Sequence, residues 1–233
     1  MSTYQPINYD FHRMVIFTIL AGAVISALGI SITLAAKYLQ LGFLVFNQRP
    51  DMLGNYVDSP LAYIFNMGLI LAGVCTLLAM YGLQQLRLGY FGRYISLAGF
   101  VVGATIILMG IYPINFLEEH RLFSTAFLLA TILLYFLSLC ARINHKPLCP
   151  MPLFVVSLLG LICATALALM LNWNNFDFDP CLHEASSICA VSVIMWCQTH
   201  FIMLWCIVLA LTINKLALKS YRESISTQLS ASY

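Results

Sequence analysis

Four ionisable residues, Glu118, Glu119, His120 and Arg121, stand in a row in the stretch IYPINFLEEHRLFS, between two long apolar runs. A carboxylate beside a histidine is the smallest group that can perform acid–base chemistry, here on a substrate such as a lipid headgroup. The same residues also suit a plain water-facing turn. Glutamates favour a helix N-terminus through its dipole, and an arginine can snorkel from an apolar surface towards water. Consecutive helix residues point about 100° apart, so adjacency alone does not bring Glu118 or Glu119 against His120. Three further polar side chains, Asn66, Gln198 and His200, lie inside apolar runs. Each is either an interhelical hydrogen bond or part of a site, because lipid tails offer it no partner.

A second concentration of polar residues is NWNNFDFDPCLHEASSICAV, where Asp177, Asp179, His183 and Glu184 are of types that ligate cations. Their order follows no calcium-loop or H-E-x-x-H pattern, so neither a metal nor another cofactor is expected. Trp173, Phe176 and Phe178 in the same stretch suit the headgroup layer, where amphipathic rings are stabilised. Cys181 and Cys189, with seven residues between them, form a disulfide candidate if the loop faces an oxidising compartment. Cys75, Cys140, Cys163, Cys197 and Cys206 read as apolar filler, and Cys149 sits beside two prolines. No C-x-x-C pair, nucleophile elbow or phosphate-binding glycine loop is present.

The elements that must carry these residues are set by composition. Of 233 residues, 61% are hydrophobic and 9% charged, against about 25% charged in an average soluble domain. Such a chain belongs in a membrane. Its net charge of +2 without a basic stripe argues against nucleic acid as a partner. Six runs approach the roughly 20 apolar residues of a spanning helix: 14–36, 61–83, 94–112, 122–141, 152–172 and 191–213. Pro60, Pro113, Pro147, Pro150 and Pro152 punctuate them. The expected fold is therefore all-α: one domain over 1–218 with six transmembrane helices, then a short disordered tail over 219–233. Residues 38–46 either extend the first helix or lie at the interface.

Counting Lys and Arg in the loops orients the chain. Eight fall on the side of both termini (Arg13, Arg87, Arg93, Arg142, Lys146, Lys215, Lys219 and Arg222) and three on the other (Lys37, Arg49 and Arg121). Both termini are thus expected in the cytoplasm, in a multi-pass protein of the cell or inner membrane. Ser96, Gly99, Gly103 and Gly110 line one helix face containing G-x-x-x-G, a groove that admits another backbone closely. The first helix, with Gly22, Ser26 and Gly29, is the expected partner; a second copy of the chain, giving a homo-oligomer through the Gly99/Gly103 face, is the alternative.

Leu53, Gly54, Ser59, Pro60, Phe65, Asn66, Ala72 and Gly73, followed by Gly110, Tyr112, Pro113 and His120, form a pattern. It resembles the domain-of-unknown-function family number 998, whose six-helix members are distantly similar to the DRAM and Sfk proteins. Tyr112 stands where that family usually has phenylalanine, and the first and third loops depart from its pattern. The resemblance implies a six-helix membrane fold and a link to membrane lipid organisation, with no agreed reaction. It also marks His120 as a family position.

The functional expectation is a protein that binds or organises membrane lipid through a polar pocket, leaning away from an enzyme. Asn66, His120, Gln198 and His200 would converge in that pocket, with Glu118 or Glu119 at its rim. A membrane enzyme using His120 with Glu118 or Glu119 is the alternative. A small-solute carrier is weaker, since no span carries a carboxylate at its centre.

Overall fold

The computed structural model describes residues 9–86, 88–144, 146–178 and 189–231, the side chains of 9, 220 and 223–231 excepted. Six helices long and apolar enough to cross a membrane are present: α1 (Tyr9–Leu41), α2 (Ala62–Gln85), α3 (Gly89–Ile111), α4 (Leu117–Asn144), α5 (Met151–Met170) and α6 (Ala190–Ala231). The protein is an all-α, polytopic membrane protein. Its outer surface confirms the solvent: Leu169 is 83% exposed and Leu97 65%, as a lipid-facing wall requires.

Local chemistry explains the breaks. α1 continues through Leu41 and stops where Gly42 takes φ +57°, a left-handed conformation that glycine adopts without strain. The segment 38–46 is thus split between helix and a 3-10 turn, Gly42–Asn47. A second 3-10 turn, Pro50–Gly54, follows at once. Pro113 ends α3, and Pro150 and Pro152 open α5. The expectation of a disordered tail is corrected: α6 runs on to Ala231. No glycine or proline occurs after Pro180, so nothing in the chain stops the helix once it has begun.

Each helix packs beside the next in sequence, and α6 packs against α1. The six therefore close into a ring. Successive helices run in opposite directions, so the start of α1 and the end of α6 lie at one end. The loops after α1, α3 and α5 lie at the other.

α2 is the most crowded member, and the expected α1–α3 pairing is corrected. Ser96 donates a 2.6 Å hydrogen bond to Met80 O on α2. A Cβ on Gly99 would lie 2.5 Å from Met80 Sδ, on Gly103 3.2 Å from Gly73 O, and on Gly110 2.8 Å from Asn66 O. Gly22 and Gly29 of α1 meet α2 elsewhere, at Cys75 and Gly68. α2 carries small residues on two faces and accepts both neighbours. The Gly99/Gly103 groove is consequently filled by α2 of the same chain.

Inside the ring, hydrogen bonds tie α4 to α6. Gln198 Nε2 donates to Thr131 Oγ1 at 3.0 Å, and Trp205 Nε1 to Ser138 Oγ at 3.1 Å. Such bonds are worth about 0.6–2 kcal/mol each within a membrane. Reporter fusions in the 86–88 turn and the 112–116 turn are expected to read opposite sides of the membrane. The same side for both would contradict this ring.

Candidate functional site

The loop between α1 and α2 does not project away from the bundle. Its sequence, GFLVFNQRPDMLG, is too apolar for that, and Val45, Pro50 and Leu53 are buried. It folds over the end of the ring and is held from several sides. Asn66 Nδ2 of α2 donates to Gly54 O at 3.0 Å. On α6, the Ser192 hydroxyl lies 2.5 Å from Gln48 O, and Trp196 Nε1 donates to the same carbonyl at 3.2 Å. Gly54 must lack a side chain, because a Cβ there would lie 2.5 Å from Asn66 Oδ1. Asn66 thus has the structural role of pinning this loop.

Pinning the loop places Arg49 and Asp51 at the mouth of the ring. Arg49 grips Asp51 as a fork, Nε to Oδ1 at 3.2 Å and Nη2 to Oδ2 at 2.6 Å. Its remaining Nη1 donates to Asp177 Oδ1 at 2.8 Å. Arg121 of α4 approaches the other oxygen of Asp177, with Nε at 2.9 Å and Nη2 on the same atom. His120, buried at 4% exposure, donates through Nδ1 to Tyr112 O at 2.9 Å and turns Nε2 to Asp51 Oδ2 at 3.5 Å. That last distance is an ion-pair contact rather than a full hydrogen bond.

The electrostatics follow from this arrangement. Burial pushes the Asp51 carboxyl up, but the contact with His120 and the charge and hydrogen bonds of Arg49 outweigh it and hold it well below the usual range. Asp177 is likewise raised by burial, yet lowered overall by its bonds with Arg49 and Arg121. Arg49 is stripped of water by burial but stays firmly charged because Asp51 and Asp177 face it.

Beneath the cluster lies a cavity of about 200 Å³ lined by all six helices, with Arg49, Asp51, His120, Arg121 and Asp177 at its head. Along α2 its wall extends from Phe65 to Met80, about 22 Å at 1.5 Å per residue. That passes the midplane of a hydrocarbon core roughly 30 Å thick. The deeper lining is apolar, with Ile19, Ala79, Leu128 and Ile202 among it. Three buried polar atoms of lining residues, Asn66 Oδ1, His120 Nε2 and Gln198 Oε1, have no hydrogen-bond partner.

Asn66, His120 and Gln198 share this cavity as expected from sequence, and His200 does not. It is exposed on α6, with Nδ1 2.7 Å from Trp196 O of its own helix. The reason is angular: two residues along a helix turn about 200°, so Gln198 facing inward sends His200 outward. Glu118 and Glu119 are corrected on the same ground. Both are exposed in the first turn of α4 and line no part of the cavity. The carboxylates that meet the histidine and arginines are Asp51 and Asp177. Sequence reasoning missed Arg49 and Asp51, although Arg49-Pro50-Asp51 within an apolar loop was a usable signal. Of the residues weighed for a cation, Asp177 is engaged by two guanidiniums, while Asp179, His183 and Glu184 lie outside the described residues.

Cys189 is disulfide-bonded, the six other described cysteines are free, and Cys181 lies outside the described residues. Mass mapping of oxidatively purified protein is expected to find Cys181 joined to Cys189; a free Cys181 thiol would contradict that pairing.

The depressed carboxyls also set a pH dependence. A group whose folded pKa lies below its unfolded value stabilises the fold above the unfolded value, near 4 for Asp. That stability is lost as pH falls through the lower folded value. The thermal midpoint in detergent should therefore hold level from pH 7 to about 5 and fall below about 4. Asp51→Asn should lose about 3–5 kcal/mol at pH 7 and show a shallower acid decline. An acid limb identical to wild type would contradict the assignment.

Compared with known proteins, the chain matches no family model, no curated protein and no solved structure.

Proposed function

We propose that this membrane protein binds a lipid, with the headgroup at the Arg49–Asp51–His120–Arg121–Asp177 cluster and a hydrocarbon chain in the cavity below. The observation that carries the reading is the shape and polarity of that cavity. A volume of about 200 Å³ extended over some four turns of α2 is a narrow slot. A slot charged at its head and apolar beyond suits an amphiphile. A compact polar solute would leave the apolar length unfilled.

Acid–base catalysis by His120 is disfavoured, because one ring nitrogen is bound to Tyr112 O and the other faces Asp51. A general base needs a nitrogen within reach of its substrate. A coupled carrier is disfavoured too: among the described residues, the Asp and Arg side chains lining the cavity are Arg49, Asp51, Arg121 and Asp177, and all sit at its head. The excess of Lys and Arg near the termini supports a cytoplasmic side for those termini and the opposite face for the cluster. Kinship with the six-helix family that the Gly54, Asn66 and His120 pattern resembles would fit a role in membrane lipid organisation.

Native mass spectrometry after exchange with mixed phospholipid vesicles is expected to show a retained lipid. Ala72→Phe, which projects a ring into the slot from α2, should reduce that retention at least tenfold without loss of the folded species. Wild-type protein that carries no lipid, or an A72F variant that retains it equally, would overturn the proposal.

A further inference from the structure

The two arginines at the head of the cavity converge on a single carboxylate. Arg49 approaches from the α1–α2 loop and takes Oδ1 of Asp177; Arg121 approaches from α4 and takes Oδ2. A pair of guanidiniums sharing one anion is a ready-made site for a planar or tetrahedral oxyanion, since each fork presents parallel donors. The difference between the two aspartates is instructive. Asp51 is two residues from Arg49, in the same pinned loop, and takes two of its donors. Asp177 comes from the α5–α6 connection, where Phe178 packs against the core but few hydrogen bonds reach other elements. Among the described residues, every hydrogen bond from 172–178 to an element other than α5 passes through the Asp177 carboxylate. Phe176, beside it, holds φ +52° without being glycine, a conformation that costs free energy and relaxes if the segment moves.

We infer that Asp177 is an internal occupant of an anion site, and that the ligand's headgroup is a phosphate-type anion that displaces it from Arg49 and Arg121. This rests on the lipid-binding reading and names its headgroup class. With Asp177 withdrawn, Arg49 and Arg121 are left with Asp51 as the one carboxylate at the head of the slot among the described residues, so that head carries excess positive charge. An anionic headgroup restores the balance that Asp177 supplied. A zwitterionic headgroup restores it less well, because its cation would lie beside two guanidiniums. Phe176 and Phe178 flank Asp177 and also line the cavity, so the segment that leaves the arginines leaves the head of the slot with it. The unpartnered Gln198 Oε1 and Asn66 Oδ1 take no part in this exchange, being acceptors that an anion avoids.

The test compares retention of phosphatidic acid with that of phosphatidylcholine, each offered in vesicles of the same acyl composition. Wild type should prefer phosphatidic acid about tenfold. Asp177→Asn removes the internal anion and should raise that preference by roughly a further tenfold, with phosphatidylcholine retention little changed. Arg121→Gln should bring the preference close to one. Equal retention of both lipids by wild type, or an unchanged preference in both variants, overturns the inference while leaving lipid binding in place. Absence of both lipids from wild type removes the lipid-binding reading itself. If D177N does not yield a folded species, the R121Q result decides: a preference kept at the wild-type level overturns the inference.

Discussion

A closed ring of helices in a membrane has an end that must be finished, and in this protein the grip of Arg49 on Asp51 does so. The fork between them fixes the geometry of a loop that would otherwise be two loosely related 3-10 turns. With Arg49 held, its last donor meets Asp177, Asp177 meets Arg121, and Asp51 meets His120. Three separate parts of the chain are thereby joined by charge at one place. The cluster is partly shielded, with side-chain exposures between 6% and 28%. Its interactions are therefore screened less than surface pairs, and losing one member leaves another charge without compensation.

The neutral framework makes that grip possible. Asn66 secures Gly54, Trp196 and Ser192 secure Gln48, and Gly110 admits the backbone of Asn66. Small residues on α2 let both α1 and α3 come close, which matters because lipid tails provide no hydrophobic push between helices. Gly54, Asn66, Gly110, Tyr112 and His120 sit around this one end. Their spacing in sequence reflects contacts between a loop, two helices and the turn that follows.

Beneath the cluster the ring is left incompletely filled. A void in a protein interior forfeits dispersion contacts, and three buried polar atoms at this one go without partners. The proposed lipid would fill the apolar length and set its headgroup against the charges, since charge at one end and a hydrocarbon-like lining along the rest match what a bilayer lipid presents.

The sequence by itself determined the membrane environment, the number of helices and their approximate limits. Those depend on local composition: apolar runs of spanning length, with prolines between them and almost no charge within. It also marked Asn66, His120 and Gln198, since polar residues within or beside apolar runs stand out one at a time. Helix partners, rotations and the folding-in of the first loop were decided only by the tertiary structure. Gly99 and Gly103 announce a close contact without saying whether α1, α2 or another copy provides it. His200 looked equivalent to Gln198 until α6 acquired a rotation, and the two then faced opposite ways. Glu118 and Glu119 lie beside His120 in the chain but point elsewhere, whereas Asp51 lies far from it in sequence and meets it in space. Charge pairing acts through distance and direction, and those belong to the packed ring rather than to any one stretch of residues.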